Sequence, residues 1–152
     1  MASIESSSNM DNSTIVSDDS NIDNDVPKIV YKSARKYVIK LSIPKDARTN
    51  ESRTVVDPRY AKYRTDKAHV LAIYHKITGE NINIIKSDYN HKYIYEVGTD
   101  VKVDDFCSDY EIVCGRGIHY YTTEVAAYHH NLRRYIGYIN YTGVYKSWSE
   151  DG

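Results

Sequence analysis

The chain has 152 residues, 41% apolar and 27% charged, with a formal net charge of -1. That length suits one domain with an appendage and excludes two independent cores, and the composition excludes a wholly disordered or fibrous chain. The longest convincing apolar run, about five residues from Val70 to Tyr74, is far short of the roughly 20 needed to span a bilayer, so no membrane association is expected.

The opening MASIESSSNMDNS has neither a basic nor an apolar region of a secretory signal, so no leader is expected. Two cysteines, Cys107 and Cys114, suit a reducing compartment. Sixteen Tyr stand against one Phe, and 16 Ile against the three leucines Leu41, Leu71 and Leu132. Tyr and Ile favour a half-buried pleated surface, while the strong helix former Leu is scarce, so a mostly β fold is expected. These residue types also have AT-rich codons, and a low-GC genome would produce the same skew.

Residues 1–27 form an acidic tail with Glu5, Asp11, Asp18, Asp19, Asp23 and Asp25 and no Lys or Arg before Pro27. It lacks the apolar surface to offset the ordering cost of about 1–2 kcal/mol per residue and is expected to be disordered. Without its six acids the remainder holds 20 basic and 15 acidic groups, a net +5. The domain proper is expected over 28–132, with a β-hairpin over 133–152.

Lys36 to Ile43 partly alternates and should end as a strand at Pro44, which cannot donate to a ladder. Residues 45–65 read as a long polar loop, and Ala68 to His75 as a central strand. Thr78-Gly79-Glu80 turns the chain into a returning antiparallel strand, Asn81 to Lys86. Tyr93 to Val97 and Val101 to Val103 are short strands on either side of Gly98, and Gly117 to Tyr121 is another. One helix is expected near 122–132: Thr122 or Thr123 caps it, Glu124 sits in the first turn, and Val125, Tyr128, His129 and Leu132 share a face. Tyr135 onward alternates as a hairpin would. The body is thus an α+β unit, mostly antiparallel sheet of short strands with one helix.

The residues able to carry chemistry cluster late in the chain. Cys114-Gly115-Arg116-Gly117-Ile118-His119 brings a thiol and an imidazole near each other across a tight turn, with Arg116 to favour a thiolate. Tyr121 points the same way as His119 along a strand. Cys114, Arg116, His119 and Tyr121 are therefore the candidate catalytic or ligand-binding set. The competing reading makes Cys114 a buried packing residue and His119 a half-buried histidine with a satisfied nitrogen, and no catalytic assignment is committed. No CxxC or HxxxH pair exists, the rings of His129 and His130 diverge, and the acids from Asp100 to Glu111 lack calcium-loop spacing. No metal and no cofactor is expected. Arg59, Lys62, Arg64 and Lys67, interleaved with Tyr60 and Tyr63, are the nearest thing to a nucleic-acid patch. No helix-turn-helix or RNP-like pattern accompanies it, so nucleic acid stays a minor alternative.

Four stretches, VIKLSIPKDAR (38–48), KYRTDKAHVLAI (62–73), YIYEVGTDVKVDDF (93–106) and CGRGIHYYTTEVAAY (114–128), resemble a domain of unknown function in giant DNA viruses of the mimivirus type and in some large phages. The resemblance spans roughly 29–132. Tyr120-Tyr121 stand where Phe-Phe is usual, and Tyr63 where that family has a cysteine. Gly143-Val-Tyr145-Lys-Ser-Trp148 is similar to the start of a MORN-like repeat, and such hairpins are stable only when several stack. The resemblance implies a viral origin, action in the host cytoplasm or viral factory with the virion as a further location, and a truncated or degenerate repeat whose Trp148, a candidate binding residue, either packs on the domain or remains exposed. It implies no activity. The leading expectation is a non-enzymatic module that binds a viral or host protein. The alternatives are a small enzyme or ligand-binding domain centred on Cys114 and His119, and nucleic-acid binding through Arg59, Lys62 and Arg64.

Overall fold

The computed structural model describes residues 26–87 and 93–132. The acidic tail up to Asp25, the hairpin over 133–152 and Trp148 lie outside the described residues. Among the described residues nine strands and one helix follow in order: β1 (Lys28–Ala34), β2 (Tyr37–Ile43), β3 (Lys62–Thr65), β4 (Lys67–His75), β5 (Asn81–Ile82), β6 (Ile84–Lys86), β7 (Ile94–Glu96), β8 (Asp100–Lys102), β9 (Ile118–Tyr121) and α1 (Glu124–His129). The fold is mostly antiparallel sheet with one short helix, as composition implies.

A seven-stranded sheet runs β3-β9-β1-β2-β4-β5, with β8 also paired to β4, and β6 and β7 form a separate ribbon. Its centre is the β1–β2 hairpin, registered from Lys28↔Ile43 to Ala34↔Tyr37. Strand β1 is absent from the sequence reading because its turn carries no Asn-Gly or Asp-Gly signal. Arg35 takes the left-handed conformation instead, at φ 53. Strand β4 lies inside the sheet as expected, but its register against β2 slips between Lys40 and Leu41. Leu41 pairs with Val70 and Lys40 with Ala72, so Leu71 is the extra residue of a bulge and turns outward.

Three further expectations change. The end of the supposed loop 45–65 is strand β3, paired to β9 from Lys62↔Tyr121 to Thr65↔Ile118. The single returning strand 81–86 is two: β5 stays on β4, and after Asn83 the chain leaves as β6 to pair with β7. The helix is shorter than expected and buries a different face. Ala126 and Ala127 are inside, while Val125 is 51% exposed. The small alanines let α1 approach Val38 and Tyr121 closely, and six residues cannot carry an i, i+7 stripe. Thr123 is the N-cap, its hydroxyl accepting from the Ala126 N–H.

Both sheet faces are covered. One buries Val30, Ile39, Leu41, Val70, Ile73, Ile118 and Tyr120 beneath the ribbon, which contributes Tyr95 and Ile85. The other carries the α1 cluster. Strand β9, between β3 and β1, therefore has helix and ribbon elements within reach, and the candidate site forms beside it.

Candidate functional site

Arg64 builds one wall of the site. Its side chain is fully buried, and its guanidinium donates to four carbonyls of the loop that precedes β9. The distances are 3.0 Å to Ile112 O, 2.6 Å to Cys107 O, 3.4 Å to Arg116 O and 2.5 Å to Asp109 O. The same group stacks 4.7 Å from the Phe106 ring. Asn50, also fully buried, accepts the Arg64 backbone N–H at 2.9 Å and donates to Ile112 O. A planar cation with five fixed donors suits a loop whose carbonyls all turn inward. Gly115 is required for this approach, because a Cβ there would lie 2.9 Å from Cys107 Cβ and 3.1 Å from Arg64 Cζ.

The loop so fixed encloses, with β1, β7 and β9, a cleft of about 300 Å³. Cys114, Arg116 and His119 all line it, so three of the four sequence candidates converge. Tyr121 lies beside them, on a smaller cavity of about 20 Å³ that also borders Lys32, Ser87, Lys62, His119 and His130. Its hydroxyl is 2.7 Å from His130 Nδ1.

The individual side chains differ from expectation. Cys114 is exposed rather than packed, and the Lys62 ammonium approaches its sulfur at 3.9 Å. The Cys114 position follows from the loop turning outward above Arg64, which takes the buried place itself. One nitrogen of the half-buried His119 is satisfied as expected, by a hydrogen bond with the Gly115 backbone, while its Nε2 is buried with no hydrogen-bond partner among the described residues. Burial lowers the His119 pKa to about 3, and Lys32, Lys62 and Arg64 push it the same way against a hydrogen bond with the Gly115 backbone. With so low a pKa, it makes a poor general base. His130 is lowered to about 4 by burial and then by Lys62, Lys76 and Lys32. Arg116 is engaged by Asp105 at the cleft.

Lys32 is the residue sequence reading missed. It is buried in β1, donates to His119 O at 3.0 Å and lies 5.8 Å from the centre of the Tyr95 ring. Its signal is an inward lysine between Val30 and Ala34, visible only once β1 is recognised.

The basic stretch 59–67 does not form one surface. Arg59 is exposed and bonded to Asp57, Lys62 turns to Cys114, and Arg64 is interior. Lys67 pairs with Asp46. Among the described residues no group of three His, Cys, Asp or Glu side chains is placed to hold a metal, and no helix is long and apolar enough to cross a membrane.

Residues 5–127 match the model of a family of unknown function, DUF5758, and the chain belongs to that family. The match begins inside the acidic tail and ends within α1, so it takes in the Arg64-anchored loop and the cleft residues up to Tyr121. No curated protein and no solved structure matches the chain.

Proposed function

We propose that this DUF5758 domain is a non-enzymatic recognition module whose binding site is the cleft beside β9. One observation carries the reading: Lys32, Cys114, Arg116 and His119, from β1, the loop and β9, border one cavity, while His119 is held neutral. A cavity of about 300 Å³ with a few polar groups on aromatic walls has the size and lining of a binding pocket. A base at pKa about 3 would not draw a proton from a substrate near neutral pH.

The wider setting belongs to the same proposal. The protein acts in a cell infected by a giant virus, in the cytoplasm or viral factory or within the virion, and its partner is a viral or host protein. The C-terminal stretch with Trp148 is the start of a MORN-like repeat that extends the contact surface. Affinity purification from infected cells tests the reading, using the full chain and an Arg116→Glu variant. Reproducible recovery of one partner, lost in the variant, supports it. Recovery of no partner, or equal recovery with both proteins, overturns it.

A second reading, a small enzyme, is favoured by one contact: the Lys62 ammonium beside the exposed Cys114 thiol, an environment that promotes a thiolate. A folded His119→Ala protein that loses a specific activity on a defined substrate would put this reading first. Nucleic-acid binding through 59–67 is a third, weakened by the burial of Arg64.

A further inference from the structure

We infer that the cleft beside β9 binds a compact oxyanion, a phosphate monoester or a carboxylate, against Lys32 with Arg116 at its edge. This deepens the recognition reading above and rests on it for the identity of the site.

Cations reach the site from three separate elements. Lys32 comes from β1, Lys62 from β3 and Arg116 from the loop, and Asp105, the acid that lines the cleft among the described residues, is already bonded to Arg116. The two cavities share Lys32, Ser87 and His119, so the smaller opens onto the same cations as the larger. Lys32 is 8% exposed and donates to His119 O, which places its ammonium at the wall the two cavities share. Ser87, also buried, adds a hydroxyl on the shared wall.

His119 Nε2 is a buried polar atom with no hydrogen-bond partner among the described residues, at the junction of the cavities. Such orphaned groups are rare in folded proteins and call for a missing partner. The charges that lower the pKa of this ring are cationic: Lys32, Lys62 and Arg64. A neutral or cationic ligand would leave that imbalance in place or worsen it. An oxyanion relieves it, accepting from Lys32 and, once Nε2 has taken a proton from solvent, from His119 as well.

Titration of the full chain with inorganic phosphate, followed by NMR of the His119 ring and the 114–117 amides, tests this. Saturable shifts confined to those groups are expected, together with a higher His119 pKa at saturation. Lys32→Met should weaken binding about tenfold or more, the loss of one charge-assisted hydrogen bond. Arg116→Glu, at an exposed position, gives the same direction should Lys32→Met not fold. Absence of saturation by phosphate and by acetate overturns the inference, as does unchanged affinity in Arg116→Glu together with any folded Lys32 variant. A phosphoserine peptide and its aspartate counterpart then separate the sources: tighter binding of the first assigns a phosphorylated protein, and of the second an acidic one. Free phosphate tighter than both assigns a small-molecule phosphate. Phosphate binding without partner recovery from cells defeats the recognition reading alone; partner recovery without any oxyanion binding defeats this inference alone.

Discussion

Replacing Arg64 should be the most damaging single change near the site. Arg64→Met keeps much of the length and apolar contact of the side chain and removes every donor. Two of the four bonds are short, 2.6 Å to Cys107 O and 2.5 Å to Asp109 O. A hydrogen bond to a charged group contributes about 1.5–3 kcal/mol, so these two alone set a floor of about 3 kcal/mol. The longer contacts to Ile112 O and Arg116 O, and the stacking on Phe106, can only add to it. For a folded unit of this size, 1 kcal/mol shifts the unfolding midpoint by roughly 4–8 °C, so a fall of at least about 12 °C is expected.

Calorimetry or thermal circular dichroism on the full chain measures the effect. Arg64→Lys separates charge from geometry: an ammonium cannot match a planar fork, and less than half of the loss should be recovered. Arg59→Ala, on an exposed residue bonded to Asp57 two positions away, should leave the midpoint unchanged. A drop below about 4 °C in Arg64→Met, equivalent to about 1 kcal/mol, would refute the idea that this cation anchors the loop.

Three other outcomes follow from the same geometry. Gly115→Ala should cost about 1–3 kcal/mol by urea denaturation, since its Cβ would meet Cys107 Cβ at 2.9 Å, a carbon the surrounding loop holds in place. Thr123→Ala should cost about 1 kcal/mol, losing the N-cap of α1 and the bond to Arg59 O at 2.6 Å. His119 and His130 have folded pKa values lowered to about 3 and about 4 from an ordinary 6.5, so the unfolded chain binds more protons between those limits. Stability is then full above pH 6.5 and falls as pH drops, by up to about 1.4 kcal/mol per pH unit for each histidine, until each folded pKa is passed. Urea titrations from pH 7 to 4.5 should show this slope, reduced in a folded His119→Gln variant; an unchanged slope would remove His119 from the account.

What was legible in the sequence was local. Strands β2, β4 and β9 stand out because alternation or an apolar run ends at Pro44, at the Gly79 turn or begins beyond Gly117. A cap at Thr122 or Thr123 is legible because two hydroxyls precede Glu124 and two alanines, and the structure selects Thr123. The convergence of Cys114, Arg116 and His119 was readable for the same reason, since all lie within one turn and one strand. What escaped was long-range. Lys32 meets the carbonyl of a residue 87 positions away, and no spacing rule signals that contact. The bulge at Leu71 and the departure of β6 after Asn83 depend on which strand lies alongside, and an apolar run cannot state its partner. The buried helix face differs from the periodic one because periodicity rewards large side chains, whereas close docking against Val38 and Tyr121 selects alanine.

Lys62 and Arg64 show how far neighbours decide a residue's role. They are two apart on β3, and by alternation their side chains leave the strand on the same side. In sequence both belong to a basic, aromatic stretch suited to a nucleic-acid strand. The loop before β9 lies over Arg64 and offers it carbonyls, so that cation is interior and structural. Lys62 reaches past the loop to the exposed sulfur of Cys114 and borders the smaller cavity. Arg64 also pairs directly across the ladder with His119, so one strand step joins the loop anchor to the neutral ring. The guanidinium that holds the cleft wall therefore contributes to the field that keeps His119 uncharged. Stability and ligand preference are coupled through this pair, and a variant that frees the loop should raise the His119 pKa even with no ligand present. A folded Arg64→Met protein whose His119 still titrated near 3 would show that burial and the two lysines suffice, and would uncouple the anchor from the site.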